Sequence, residues 1–101
     1  MSAVFESRGN VAHITLSGEL DYSSRGKIHA VIDQALAADN AREVWVDLAG
    51  VIFMDSSIIQ ALLKLQVNAT ANGKTVSLRN CHDQIREIFT IGGFDKVFTI
   101  Q

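Results

Sequence analysis

Apolar residues recur along this chain with two alternating periods, and the changes of period mark the elements. Ala12, Ile14 and Leu16 share one face of residues 11–17, and Val11, His13 and Thr15 share the other. That two-residue period predicts a strand with one better-buried side. A similar run, residues 3–7, precedes it. Arg8-Gly9-Asn10 between them tolerates positive φ, so the pair reads as a tight hairpin. Ile28, Val31, Ile32, Ala35 and Leu36 then return at three- and four-residue steps, a single apolar helical stripe. Ser23 or Ser24 caps this helix and Asn40 stops it. His29 lies within it at a solvated position.

The period reverts to two in "EVWVDLAGV", where Val44, Val46 and Leu48 alternate with Trp45 and Asp47. Trp45 makes both faces substantially apolar, which predicts a strand inside a sheet covered by helices. Asp47 reads as a loop anchor. A loop then leads into an apolar helix from Asp55-Ser56-Ser57 to about Asn72, closed by Gly73. On its wheel Ile59, Leu62 and Leu63 form the core face, and Ile58, Ala61 and Leu65 extend the stripe to one flank. "KTVSLRN" is a short strand with Val76 and Leu78 inward. "HDQIREIFTI" is a third helix, stopped by Gly92-Gly93, with Phe94 folding back on its last turn. "KVFTI" closes the chain as a short strand or extended tail. The order β-β-α-β-α-β-α-β predicts one α/β domain over residues 1–101. Its sheet is mixed but mostly parallel, with an N-terminal β-hairpin and flanking helices.

Composition narrows the function. With 101 residues and a net charge of −2, the chain suits one globular core and offers no general attraction to nucleic acid. No apolar run reaches membrane-spanning length, so no direct membrane insertion is expected. The start of the chain lacks the pattern of a signal peptide, which makes the cytoplasm the expected compartment. The single cysteine, Cys81, cannot pair internally. Only His82 is beside it, so it reads as a buried, inert thiol. No metal or other cofactor is implied.

The chemistry concentrates at Asp55-Ser56-Ser57. The first amides of a helix lack intrahelical partners and carry the positive end of its dipole. Capping by Asp55, Ser56 or Ser57 is the ordinary use of such residues. The same place accommodates a phosphate, which adds about −1.5 to −2 charge. Asp21, in "GELD", ends a neighbouring strand in the proposed topology, and loops at the carboxyl ends of parallel strands share one rim. A phosphate there joins two carboxylates into an acidic spot. No nucleophile–base pair and no phosphate-binding loop of the P-loop type is visible. "VWVDL" superficially resembles the phosphorylated strand of a receiver domain, but "LSGELD" is a weak substitute for the required acidic cluster. An enzyme is not expected.

"ITLSGELD", "VWVDLAGVIFMDSS", "VSLRN" and "IGGFDKVFTI" occur in that order. Together, over about residues 3–100, they resemble the STAS domain family, and most of all its free-standing anti-sigma-factor antagonists. The resemblance implies a β-sheet flanked by helices and a role in transcription regulation. The unphosphorylated protein would bind an anti-sigma factor that is itself a serine kinase, and so free a sigma factor. Phosphorylation of Ser56 would break the complex, and a serine phosphatase would reverse it. Asp21, Asp55 and Ser57 would shape the site. The resemblance has one departure. The family pattern continues Asp-Ser-Ser-Gly-Leu-Gly, whereas this chain continues Ile58-Ile59-Gln60. A β-branched Ile58 narrows the approach of a kinase, or else serves with Ala61 and Leu65 as an apolar anchor for a partner. The alternative is a STAS subunit of a bacterial lipid-transporting ATP-driven complex, with Ile58, Ala61 and Leu65 docked on the ATPase and Ser56 only a cap. Self-association as a weak homodimer is left open.

Overall fold

The computed structural model describes residues 1–101. Strand β1 (Ser2–Arg8) turns through Gly9, at φ +58°, into β2 (Val11–Leu20). A single 3-10 turn, Tyr22–Ser24, leads into α1 (Arg25–Ala37). Then come β3 (Glu43–Met54), α2 (Ser56–Ala71), β4 (Thr75–Arg79), α3 (Asp83–Ile91), a second 3-10 turn (Phe94–Lys96) and β5 (Thr99–Ile100). The sheet order is β1-β2-β3-β4-β5, antiparallel at the first pair and parallel elsewhere. The element order and mixed sheet agree with the pattern of the sequence. The first helix stops at Ala37 rather than Asn40. Gly73, at φ +72°, follows the C-cap of α2 as expected. No helix is long and apolar enough to cross a membrane.

One hydrophobic cluster holds the layers together. Ala12, Ile14, Val44, Val46, Val76 and Leu78 point from the sheet toward the helices. The helices answer with Ile28 and Ile32 from α1, Ile58, Leu62 and Leu65 from α2, and Ile85 and Phe89 from α3. Lys74 stands immediately before β4. It is buried, and its ammonium donates to the carbonyls of Ala38 (2.8 Å) and Ala41 (2.7 Å). Those bonds replace the water lost on burial and tie the loop after α1 to the start of β4.

The other face of the sheet is not covered, contrary to the expectation from Trp45. Its central row reads Glu6, His13, Trp45, Ser77 and Thr99 across the five strands. Trp45 is half-buried under the Arg79 guanidinium, 3.6 Å from its ring centre, and meets His13 edge-on. A cation–π stack therefore shields the indole where a helix was expected. Arg8, Asp47, Asn80 and Gln101 complete an open, mixed-charge hollow of about 380 Å³ on this face.

Strand β3 also runs farther than its alternating pattern indicates, taking in residues 52–54 that read as a loop. Two register shifts against β2, between Thr15 and Ser17 and between Gly18 and Glu19, place extra residues on β3. Each such bulge resets which side chain points inward. Leu48, Val51 and Met54 enter the core at three-residue steps, and Ile52 and Phe53 are turned out.

Helix α2 requires a correction as well. Ile58, Ala61 and Leu65 are 0%, 2% and 0% exposed, so they form no outward flank for a partner. Helix α2 packs against the sheet and against α1 at once. At 100° per residue its buried arc spans about 160° and centres on Ile58, Leu62, Leu65 and Ala69. Leu63, expected in the core, sits at the margin. Ile58→Ala should therefore cost about 2–5 kcal/mol of folding stability, read as a lower urea midpoint with an unchanged slope.

Candidate functional site

The site forms where β2 and β3 end side by side. Leu20 pairs with Met54, and the N–H of the next residue, Asp55, donates to the Leu20 carbonyl at 3.0 Å. Asp21 and Asp55 thus leave the sheet from adjacent strands at one rim, as the topology implied. Each then caps the helical turn that follows it.

Asp55 is the N-cap of α2. Its Oδ1 accepts from the N–H of Ser57 (3.0 Å) and of Ile58 (3.3 Å), and from the Ser57 hydroxyl. Its backbone carbonyl accepts from the N–H of Ile58 and Ile59. The capping role open to three residues in the sequence therefore falls to Asp55, with Ser57 bound into it. Ser56, the first helical residue, is exposed and stands outside these bonds. The amides of Ser57, Ile58 and Ile59 are already engaged, so a phosphate on Ser56 would not find the full set of free helix amides that the sequence suggested.

Asp21 makes the matching arrangement on the other strand. Its Oδ1 accepts from the Ser23 N–H at 3.0 Å and from the Ser23 hydroxyl, and its own N–H donates to Ser24 Oγ at 3.3 Å. These bonds form a capping box for the 3-10 turn. The Ser23 hydroxyl is the main cause that holds the Asp21 carboxyl below its ordinary value.

Exposed apolar side chains surround the two acids. Ile52 is 66%, Phe53 47% and Tyr22 64% exposed. Sequence reasoning missed this group. Its signal was the adjacent apolar pair in "VIFMD", which a strict alternating strand would have half buried. On the other side of α2, Ser57, Gln60, Ala61 and Lys64 face Tyr22, Arg25 and His29 across a hollow of about 130 Å³. His29 is therefore a wall of this hollow and not simply a solvated helix residue.

The remaining singled-out residues are structural here. Asp47 does anchor a loop: its Oδ1 accepts from the Ala49 N–H (2.9 Å) and from Asn80 Nδ2 (3.2 Å). Asn80 is held at φ +56°. Cys81 is buried, and burial pushes its thiol up against a smaller opposing effect of Arg86. His82 Nε2 lies 2.6 Å from the Val51 carbonyl oxygen.

Comparisons with known proteins agree with this geometry. The family model described as "Mlab, STAS domain" matches residues 3–100. A STAS-domain containing protein of Pseudomonas aeruginosa is 27% identical over 100 residues, covering 99% of this chain and 97% of the relative. The Bacillus cell fate determinant SpoIIAA, solved in its phosphorylated form, superposes with a TM-score of 0.75 at 23% identity, over 99% of this chain and 91% of that one. An anti-sigma factor antagonist from Mycobacterium paratuberculosis gives a TM-score of 0.85 at 20% identity, over 98% and 83%.

Two outcomes test the rim. Asp55→Ala should lower stability by about 1 kcal/mol through loss of the cap, measured by chemical denaturation. The Asp21 carboxyl is depressed in the folded state, so the unfolded chain binds its proton first as pH falls. Its stabilisation is full above the unfolded value of about 3.9 and is lost as pH drops through the lower folded value. The gap in thermal midpoint between the wild type and Asp21→Asn should shrink across that acidic window.

Proposed function

The chain belongs to the STAS domain family, and from that premise we propose that it is an anti-sigma-factor antagonist, a docking module switched by phosphorylation of Ser56. The rim of Asp21, Tyr22, Ile52, Phe53, Asp55 and Ser56 meets a serine-kinase-type anti-sigma factor, and the complex frees the sigma factor. The observation that carries this reading is the state of Ser56. It is exposed at the first position of α2, outside the capping bonds, next to Asp55 and following the exposed Ile52 and Phe53 in the chain.

The mechanism follows from that placement. Asp55 fixes the start of α2 through its own bonds, so Ser56 Oγ is free to accept a phosphoryl group while the helix stays capped. The added charge, about −1.5 to −2, appears at the surface where a partner sits. Apolar anchors such as Phe53 and Ile52 supply the contact, and the phosphate sets whether it forms. A like-charge juxtaposition at an interface costs several kcal/mol. A serine phosphatase returns the hydroxyl and with it the binding state. Asp21 and Ser57 tune the site through the charge and the capping bonds they hold.

A second reading rests on Ile58 and Gln60 standing where the family pattern has glycines. Here the module docks on the ATPase of a lipid-transporting complex, and Ser56 takes no phosphate. Because Ile58, Ala61 and Leu65 are buried, the contact would again fall to Ile52, Phe53 and Tyr22.

Ser56→Asp should weaken binding to the anti-sigma factor by about ten- to a hundredfold, and Ser56→Ala should leave it bound, both read by calorimetry on the purified pair. Co-purification with a transporter ATPase, unchanged by Ser56→Asp, would sink the first reading in favour of the second.

A further inference from the structure

The hollow between α1 and the start of α2 shares Tyr22 and Ser57 with the rim, but neither reading uses its cations. Its walls are Tyr22, Arg25 and His29 on one side and Ser57, Gln60, Ala61 and Lys64 on the other. Two of these side chains are cationic, a third is an imidazole, and none is acidic. Neither Arg25 nor Lys64 has an ion-pair partner, since Glu6–Arg8 is the one salt bridge in the chain. The hollow therefore gathers two cations that no carboxylate pairs, with the Asp55 carboxylate at its edge bonded to Ser57.

Arg25 is the informative residue. Its guanidinium stacks on the Tyr22 ring, 3.9 Å from the centroid. Its Nε is sealed from solvent and has no acceptor. A buried donor without a partner is uncommon and needs a physical reason. The stack holds the plane of the group but satisfies none of its N–H bonds. Arginine presents a planar fork of donors matched to oxyanions. The Arg25 side chain lines the hollow while it is stacked on Tyr22. Lys64 faces it as a second point charge, and the Ser57 and Gln60 side chains supply neutral polar contacts. A volume of about 130 Å³ suits one small oxyanion and excludes a nucleotide-sized ligand.

We propose that this hollow is an oxyanion-binding site for a single phosphate group, held by Arg25 and Lys64 with Ser57 and Gln60. Two sources offer that chemistry. One is free phosphate, and the other is a phosphoryl group that a nucleoside-triphosphate-dependent kinase transfers to Ser57 Oγ, releasing the nucleoside diphosphate and a proton and breaking the hydroxyl's bond to Asp55. The site stands apart from the Ser56 switch, which lies one helical step away, so either can fail alone.

The test uses the full ¹⁵N-labelled chain, because the Arg25 Nε–H is directly visible by NMR. In the first arm, inorganic phosphate is titrated against sodium chloride at matched ionic strength. The Arg25 Nε–H and the Ser57 and Gln60 amides should shift together and saturate. Arg25→Gln and Lys64→Gln should each weaken that binding about tenfold, the loss of one charge-assisted contact. Lys27→Gln, outside the hollow, should leave it unchanged. In the second arm, phosphoserine is installed at position 57 with no anion added. If the Arg25 Nε–H moves there and added phosphate no longer binds, the chain supplies its own anion. If only the first arm responds, the anion comes from solution. Shifts that spread equally over Arg42, Arg86 and Lys96, or that persist in Arg25→Gln and Lys64→Gln, with no response in the second arm, overturn the proposal. Neither arm involves the anti-sigma factor, so failure here leaves the Ser56 reading untouched.

Discussion

Asp55 is the residue on which the rim depends. Its N–H reaches back to Leu20 on β2, and its carboxylate reaches forward to Ser57 and Ile58 on α2. One residue thereby fixes the end of a strand pair and the start of a helix. The bonds also decide which hydroxyl is available. Ser57 is drawn into the cap, and Ser56 is left outside it. Because the cap belongs to Asp55 and not to either serine, the helix start would not have to be remade if Ser56 gained or lost charge. A chemical change at Ser56 then acts on the surface and leaves the scaffold in place.

The distribution of charge around α2 sharpens this separation. Asp21 and Asp55 lie at the sheet end of the helix, while Arg25, His29 and Lys64 lie along its α1 side. Ser56 and Ser57 differ by one helical step of about 100°, so Ser57 lines the cationic hollow while its hydroxyl is bonded to Asp55, and Ser56 stands outside both. Charge added to the first reinforces local repulsion. Charge added to the second would displace its bond to Asp55 and meet the cations of the hollow. Two adjacent serines are thus not chemically equivalent, although the sequence presents them as a pair.

Much of this was legible in the sequence. The strict alternation of Ala12, Ile14 and Leu16, and of Val44, Val46 and Leu48, identified the inward face of both central strands. The order of elements and Gly73 placed the ends of α2. "GELD" and "DSS" located the two acids and the serine. What could not be read depended on contacts remote in sequence. Bulges in β3 arise from its pairing with β2, and they alone explain why Ile52 and Phe53 face outward. Trp45 looked like evidence of a covering helix because an arginine from another strand, Arg79, does the covering. Lys74 gave no sign that its ammonium would be satisfied by carbonyls more than thirty residues away. The stripe Ile58, Leu62, Leu65 and Ala69 was present in the sequence. Its centre was misplaced because Leu63 and Ile59 drew the wheel toward one side.

Correcting that stripe also changes what the departure from the family pattern means. A β-branched residue at position 58 would hinder a visiting kinase only if its side chain stood between solvent and Ser56. It does not: Ile58 is fully buried and points to the core beneath the helix. Its backbone N–H is already committed to Asp55, so a glycine there would expose no free donor to a visitor. The consequence of the substitution is therefore energetic and internal. It adds apolar burial under the first turn of α2 and stiffens the backbone that Asp55 caps, where glycine would loosen it. Access to Ser56 is governed instead by what surrounds it at the surface. Those neighbours are the exposed Ile52 and Phe53, the Asp55 carboxylate and the tethered Ser57. On the proposed reading, a partner of this serine would meet two apolar side chains and an acid together, whereas of the residues that replace the glycines Ile58 lies inward and Gln60 lines the hollow beside α1.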